Sequence, residues 1–417
     1  MMQKILQNKE TGYRWMMIAQ FNFLLAALLG AILRYAFVNG LTVLSFRNVM
    51  HGHSHVAMLG WIYQALFTAF VCTFLPEKIR AYHRLFIITQ VSVWGMFFSF
   101  PIEGYGPVSI VLSTIHVICS YIFAFRFWRD VRQTQSRTKN FSVSLALIAL
   151  GFMLFSSLGL WGMGPVMAMK LNGSVWYHLA VQFYLHFQFN GWFIFAILAL
   201  FFRSGEVAGI TQTDRRLWVV TGLLIAGSVF SFFLILQWLF PSPVMLWTNG
   251  FGVMAQFMAL ITGYQVLMQH WKRISEKLSQ AEKMLMIAAL GSLFLKIAIQ
   301  ALLVVPAVAG VSVVIRNFVI GFIHLINLGV VSYFLLGYAS FTDIRVLRGR
   351  GAFAGVLLLL AGFAGSEILL FAQGGLLWAA KGFIPGYYGW ILGVSVCIPL
   401  GIGLILWGNR SLPATIR

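Results

Sequence analysis

Residues 47–61 read RNVMHGHSHVAMLGW, and their reading decides the fold. Three histidines alternate at the head of an apolar run long enough to cross a bilayer. The whole chain repeats that kind of run. It has 417 residues, is 60% hydrophobic and only 9% charged, whereas soluble domains carry about a quarter charged residues. Runs of about 20 apolar residues, the length a helix needs to span hydrocarbon, recur from end to end. The expected fold is an all-α polytopic membrane protein with transmembrane helices near 16–38, 51–75, 82–100, 107–127, 142–164, 175–202, 216–240, 246–268, 284–308, 315–339, 352–374 and 387–408. The opening MMQKILQNKETGYRW is polar and runs straight into a full-length span, so no cleavable signal is expected. No soluble domain is expected; one transmembrane domain fills residues 1–417.

The formal net charge of +19 does not point to nucleic acid, because the basic residues lie in short connections between spans. One side holds Lys4, Lys9 and Arg14; Lys78, Arg80 and Arg84; Arg126, Arg129, Arg132, Arg137 and Lys139; Arg203, Arg215 and Arg216; Lys272, Arg273, Lys277 and Lys283; Arg345, Arg348 and Arg350; and Arg410 and Arg417. The other side holds Arg47, Glu103, Lys170, Arg316 and Lys381. The positive-inside rule then places both termini in the cytoplasm of a bacterial-type inner membrane. Cys72, Cys119 and Cys397 all fall in apolar runs, with no CxxC pattern. The many aromatic residues (39 Phe, 14 Trp, 13 Tyr) suit interfacial belts or the lining of a cofactor pocket.

The opening stretch has two counterparts, HLAVQFYLHFQFNGW at 178–192 and RNFVIGFIHLINLGV at 316–330. In each, a histidine precedes a glycine by five residues: His55 and Gly60, His186 and Gly191, His324 and Gly329. Eight positions before each histidine stands Arg47, His178 or Arg316. The copies fall in the second, sixth and tenth runs. The chain is therefore expected to contain three pseudo-equivalent four-helix units, roughly 16–127, 142–268 and 284–408. Eight helical residues rise about 12 Å, so each basic residue lies nearer the outer surface than its histidine. A buried imidazole below a surface cation suits haem iron with its propionates on the arginine.

Twelve helices in three four-helix units, with histidines on the second, sixth and tenth, resemble subunit I of the haem–copper oxidase superfamily, which includes nitric oxide reductases. HGHSHVAMLGW is similar to the HxHxxLLGW stretch of small oxidase-like membrane proteins. The His-to-Gly spacing is similar to that of NnrS-type haem- and copper-containing membrane proteins. The resemblance implies at least one haem b between His55 and His324, with Arg47 and Arg316 as cofactor contacts. It implies copper or a second haem on His186 with His51, His178 or His116. It implies an electron donor of the cytochrome c or quinol type, other membrane subunits, and a part in electron transport or nitric oxide and oxygen handling. The chain departs from the oxidases at Phe322, where they carry a second histidine, and in having no membrane-embedded histidine in the seventh and eighth runs.

Helix geometry separates the clustered histidines. Residues four apart share a face and residues two apart oppose each other. His51 and His55 therefore act together, and His53 stands apart. The expected order of preference as ligand is His55, His51, His53. Lys296, about mid-membrane in GSLFLKIAIQALL, and Glu367 are expected either to form a structural pair or to mark a proton path. His83 and His270 are expected to be solvated. The leading expectation is a haem-binding redox protein without a complete binuclear centre. The alternatives are an oxidoreductase, either terminal oxidase or nitric oxide reductase, with a rearranged site, or a metal-free proton-coupled transporter.

Overall fold

The computed structural model describes residues 2–134, 140–207, 214–341, 347 and 349–410. Among these residues, twelve helices are long and apolar enough to cross a membrane. They are α1 (Leu6–Asn39), α2 (Phe46–Phe74), α3 (Pro76–Glu103), α4 (Pro107–Thr134), α5 (Phe141–Ala168), α6 (Val175–Ser204), α7 (Arg215–Leu239), α8 (Pro243–Ser275), α9 (Gln280–Leu302), α10 (Arg316–Ala339), α11 (Gly349–Trp378) and α12 (Tyr387–Asn409). No strand occurs among the described residues. This is a multi-pass membrane protein. The basic residues Arg137, Lys139, Arg345, Arg348 and Arg417 lie outside the described residues.

Several helices run longer than the sequence reading, among them the second, third, fourth and eighth, and two further boundaries differ for a visible reason. The first helix begins well before residue 16, because polar residues continue it: Arg14 pairs with Glu10 one turn back at 2.6 Å. The ninth ends at Leu302 rather than near 308, because Pro306 starts a separate helix, Pro306–Val314. Proline lacks the N–H that a continuing helix needs but suits a first turn.

By packing, the chain divides into two compact units. The first comprises Met1–Thr134, Leu278–Ala289 and Ile315–Arg417; the second comprises Gln135–Lys277 and Leu290–Val314. In the first unit, α11 and α12 approach at bare glycines: a Cβ on Gly355 would stand 2.6 Å from the Gly401 carbonyl, and one on Gly401 would stand 2.7 Å from that of Gly355. Small residues at such crossings let helices pack where no hydrophobic effect drives them together. In the second unit, Gly159 brings α5 against the Ala180 carbonyl of α6 in the same way.

Three helices share a local irregularity. Straight after His55, α2 widens into a π-helical stretch, Val56–Tyr63. The same occurs at Gln188–Phe193 in α6, two residues past His186, and at Leu325–Ser332 in α10, directly after His324. A π stretch loosens the i→i−4 ladder, and such bulges are frequent at functional sites. In each one a polar side chain engages a carbonyl: Asn22 donates to Gly60 O at 2.8 Å, Ser228 to Asn190 O at 2.8 Å, and Ser332 to Asn327 O at 2.6 Å. In the first unit, Trp61 Nε1 donates to Ser332 Oγ at 2.7 Å, tying the π stretch of α2 to that of α10.

Candidate functional site

On α1, Asn22, Ala26, Gly30 and Arg34 recur every four residues and so line one face. That face meets α2. The Nδ1–H of His53 donates to the Ala26 carbonyl at 2.8 Å. A Cβ on Gly30 would come within 3.0 Å of His53 Cε1, so only glycine leaves the ring its place. With Nδ1 carrying the proton, Nε2 keeps its lone pair, a tautomer assigned from that hydrogen bond. Across from His53 stands His324 of α10, ring centres 6.4 Å apart and planes at 81°. No hydrogen bond to the His324 ring is found among the described residues.

His55 was expected to face His324, and the structure places His53 there instead. The reason is rotation about α2: His53 turns toward α1 and α10, and His55 turns the opposite way, toward α3. His55 stacks on Phe100 at 4.1 Å and lies 5.7 Å from the Tyr105 ring. Its Nδ1–H donates to His51 O at 2.9 Å. His51 shares that face, with its ring centre 4.7 Å from Tyr105 and a buried Nε2 that has no partner. His116 on α4 packs 4.6 Å from Tyr63, and its Nε2 is likewise buried without a partner.

Arg34 was not singled out in the sequence, yet it is the charged group central to this region. It interacts electrostatically with His53, His324, Glu367, Tyr387 and Arg316. The signal that would have found it is an arginine inside an apolar run, at the end that the positive-inside rule depletes. Glu367 on α11 is 7% exposed, and neither carboxylate oxygen has a hydrogen-bond partner. It lies against the backbone of Gly321, one turn before His324, where a Cβ would stand 3.4 Å from Oε2. Arg316 is exposed and donates to Met50 Sδ at 3.1 Å. Arg47 is exposed one turn before His51.

His186 lies in the second unit with both ring nitrogens engaged. Nε2–H donates to Ser228 O at 2.8 Å, and Asn190 Nδ2 lies 3.4 Å from Nδ1. His178 is exposed in the first turns of α6. Lys296 is buried on α9 and donates to Gln256 Oε1 at 3.0 Å.

Two imidazoles binding one ion from opposite sides, with metal–nitrogen bonds of about 2 Å, hold their ring centres about 6 Å apart. His53 and His324 stand at that spacing, with ring centres 6.4 Å apart. His53 also has the carbonyl-held second nitrogen that ligating histidines show. The residues do not fit a copper centre of three protein ligands: no group of three His, Cys, Asp or Glu able to hold a metal occurs among the described residues. No family model matches this chain, and no curated protein matches it.

Proposed function

We propose that this chain is a haem-binding redox protein of the membrane, with one b-type haem held between His53 and His324. The observation that carries the reading is the facing of these two rings at 6.4 Å with His53 Nδ1 already committed to Ala26. A haem held by these two imidazoles would supply one-electron redox chemistry, and bis-histidine ligation favours electron transfer over gas activation.

The chain's own residues supply the rest. Ala26 fixes the His53 tautomer, Gly30 gives the ring room, and the Trp61–Ser332 bond holds α2 and α10 in register. Arg34, with Arg316 and Arg47 farther out, offers cations to propionates. Glu367, a buried carboxylate of this region with no hydrogen-bond partner, would exchange protons on redox change. The recurrence of a π stretch after each repeat histidine supports the plan of three related four-helix units. The loop charges support cytoplasmic termini in a bacterial-type inner membrane. A quinol or cytochrome c type donor would serve such a haem. His186 is read here as a structural histidine, since both its nitrogens are bonded within the protein.

The test is an optical spectrum of the purified protein, oxidised and then dithionite-reduced, with a pyridine haemochrome assay. A sharp reduced α-band with haem b stoichiometry near one per chain is expected. Protein made with ample haem that shows no Soret band would overturn the reading.

A further inference from the structure

The second unit contains a buried cation with no described acid near it. Lys296 is 3% exposed and its one hydrogen-bond partner is the neutral amide oxygen of Gln256. Gln256 is itself fixed, since its Nε2 donates to Gly227 O and to Ser231 Oγ, both at 3.0 Å. These acceptors sit where α7 breaks, between Arg215–Phe230 and Phe233–Leu239. The described carboxylates of this unit, Asp214 and Glu276, lie at helix ends, and Asp214 is paired with Arg216 at 2.6 Å. His186 also faces Lys296 electrostatically and brings no negative charge. An ammonium inside the membrane costs several kcal/mol or more unless it is paired or reached by water.

A file of polar groups leads away from it along one direction. Gln300 is one turn farther on the same face of α9, and its buried Oε1 has no partner. Asn249 is two turns from Gln256 on the same face of α8, is 1% exposed, and has neither Oδ1 nor Nδ2 satisfied. The neighbouring Gly250 reaches Val304, just beyond α9, which fixes Asn249 at that level. Trp238 of α7 packs on the cluster of Leu234, Leu303 and Ala309 at the same level, and its buried Nε1–H has no acceptor. Each unpaired buried group costs about 1–3 kcal/mol, and lipid cannot satisfy any of them. A file of water would satisfy these open donors and acceptors together.

We propose that the second unit holds a binding site for a small monovalent anion, such as a halide or an oxyanion of similar size. It is entered through a hydrated file between α7, α8 and α9, from the end where α7 stops and α8 begins. Lys296 closes the file and supplies the compensating charge. Asn249 Nδ2 and Trp238 Nε1 are donors along the way. The inference does not depend on the haem reading, because every residue it uses lies in the other unit.

The experiment is a thermal unfolding titration of the purified full chain with sodium bromide, exchanged for sodium gluconate at constant ionic strength. The wild type is expected to melt about 3 °C higher once bromide stands well above its dissociation constant, and to go on rising with the logarithm of bromide concentration. Lys296→Met, neutral and of similar length, should abolish the rise. Asn249→Leu, which keeps the lysine, should move the onset of the rise to higher bromide, and it serves if Lys296→Met fails to fold. A flat wild-type response, a rise in Lys296→Met equal to that of the wild type, or an unmoved onset in Asn249→Leu overturns the proposal. Hydration is read separately by a water-soluble maleimide on Gln300→Cys, in a chain carrying Cys72→Ala, Cys119→Ala and Cys397→Ala. Labelling in the folded protein is expected, and a protected thiol overturns the hydrated file.

Discussion

His53 and His324 stand with their ring centres 6.4 Å apart and their planes at 81°, one on the second spanning helix and one on the tenth. The chain separates these residues by more than half its length. Two independent contacts hold them facing: His53 Nδ1 on the Ala26 carbonyl and Trp61 Nε1 on Ser332. Of the two, His53 has one ring nitrogen tied back to a carbonyl, the arrangement that metal-ligating histidines show.

The first prediction separates the two faces of α2. His53→Ala and His324→Ala should each abolish the reduced α-band of the purified protein. His55→Ala should keep it, because that ring is engaged with Phe100 and the backbone of its own helix. Spectra of the three variants at equal protein concentration decide it. Loss of the band in His55→Ala with retention in His53→Ala would restore the pairing expected from sequence.

Much of this was legible before any coordinates. The twelve spans follow from apolar runs of bilayer length, and the three His–Gly stretches mark the helices that carry the irregularities. The spacing of His51, His53 and His55 also showed that His53 stands apart. What spacing could not show was which face meets α10, since periodicity defines faces but not neighbours. The structure brings the His53 ring, not the His55 ring, beside His324. The π stretches left no sequence trace, because a widened turn does not alter an apolar run. Loop charge does not mark Arg34, because it lies within a span.

Arg34 gives the second prediction. A cation near the haem disfavours the ferric state and so raises the reduction potential. Two charges roughly 10 Å apart at an effective dielectric of about 20 interact by about 1.7 kcal/mol, on the order of 70 mV for one electron. Arg34→Gln should therefore lower the midpoint potential by tens of millivolts in a redox titration. Arg47→Gln, exposed and well hydrated, should shift it far less. Equal shifts, or a rise in Arg34→Gln, would remove Arg34 from the haem's surroundings.

Gly30 makes the third case. Its missing Cβ is what lets the His53 ring lie against α1, with 3.0 Å to Cε1 and 3.3 Å to Nδ1. Gly30→Ala forces the ring to give by a few tenths of an ångström and strains its bond to Ala26. Haem content should fall and the α-band should broaden, with the helices intact by circular dichroism. Gly375→Ala on α11, where a Cβ meets nothing within 4 Å, is the control and should leave the spectrum unchanged.

The last prediction concerns what holds α1, α2 and α3 together beside the site. Asn22 Nδ2 donates to Gly60 O at 2.8 Å and to Gln90 Oε1 at 2.9 Å. Its Oδ1 accepts from Gln90 Nε2 at 3.0 Å and from Trp94 Nε1 at 3.1 Å. Asn22→Ala strands the π-stretch carbonyl, the Gln90 amide and the Trp94 N–H together. The carbonyl and the amide are fully buried, and at about 1–3 kcal/mol for each the variant should lose about 2–6 kcal/mol and melt several degrees lower. Gln90→Ala should cost less, because Gly60 and Trp94 keep Asn22. If the four groups act as one network, the double variant should be less destabilised than the sum of the singles, by about 0.5–3 kcal/mol. Strict additivity in the thermal melts would reduce the network to independent contacts, and the register of the His53 helix would then have to come from glycine packing alone.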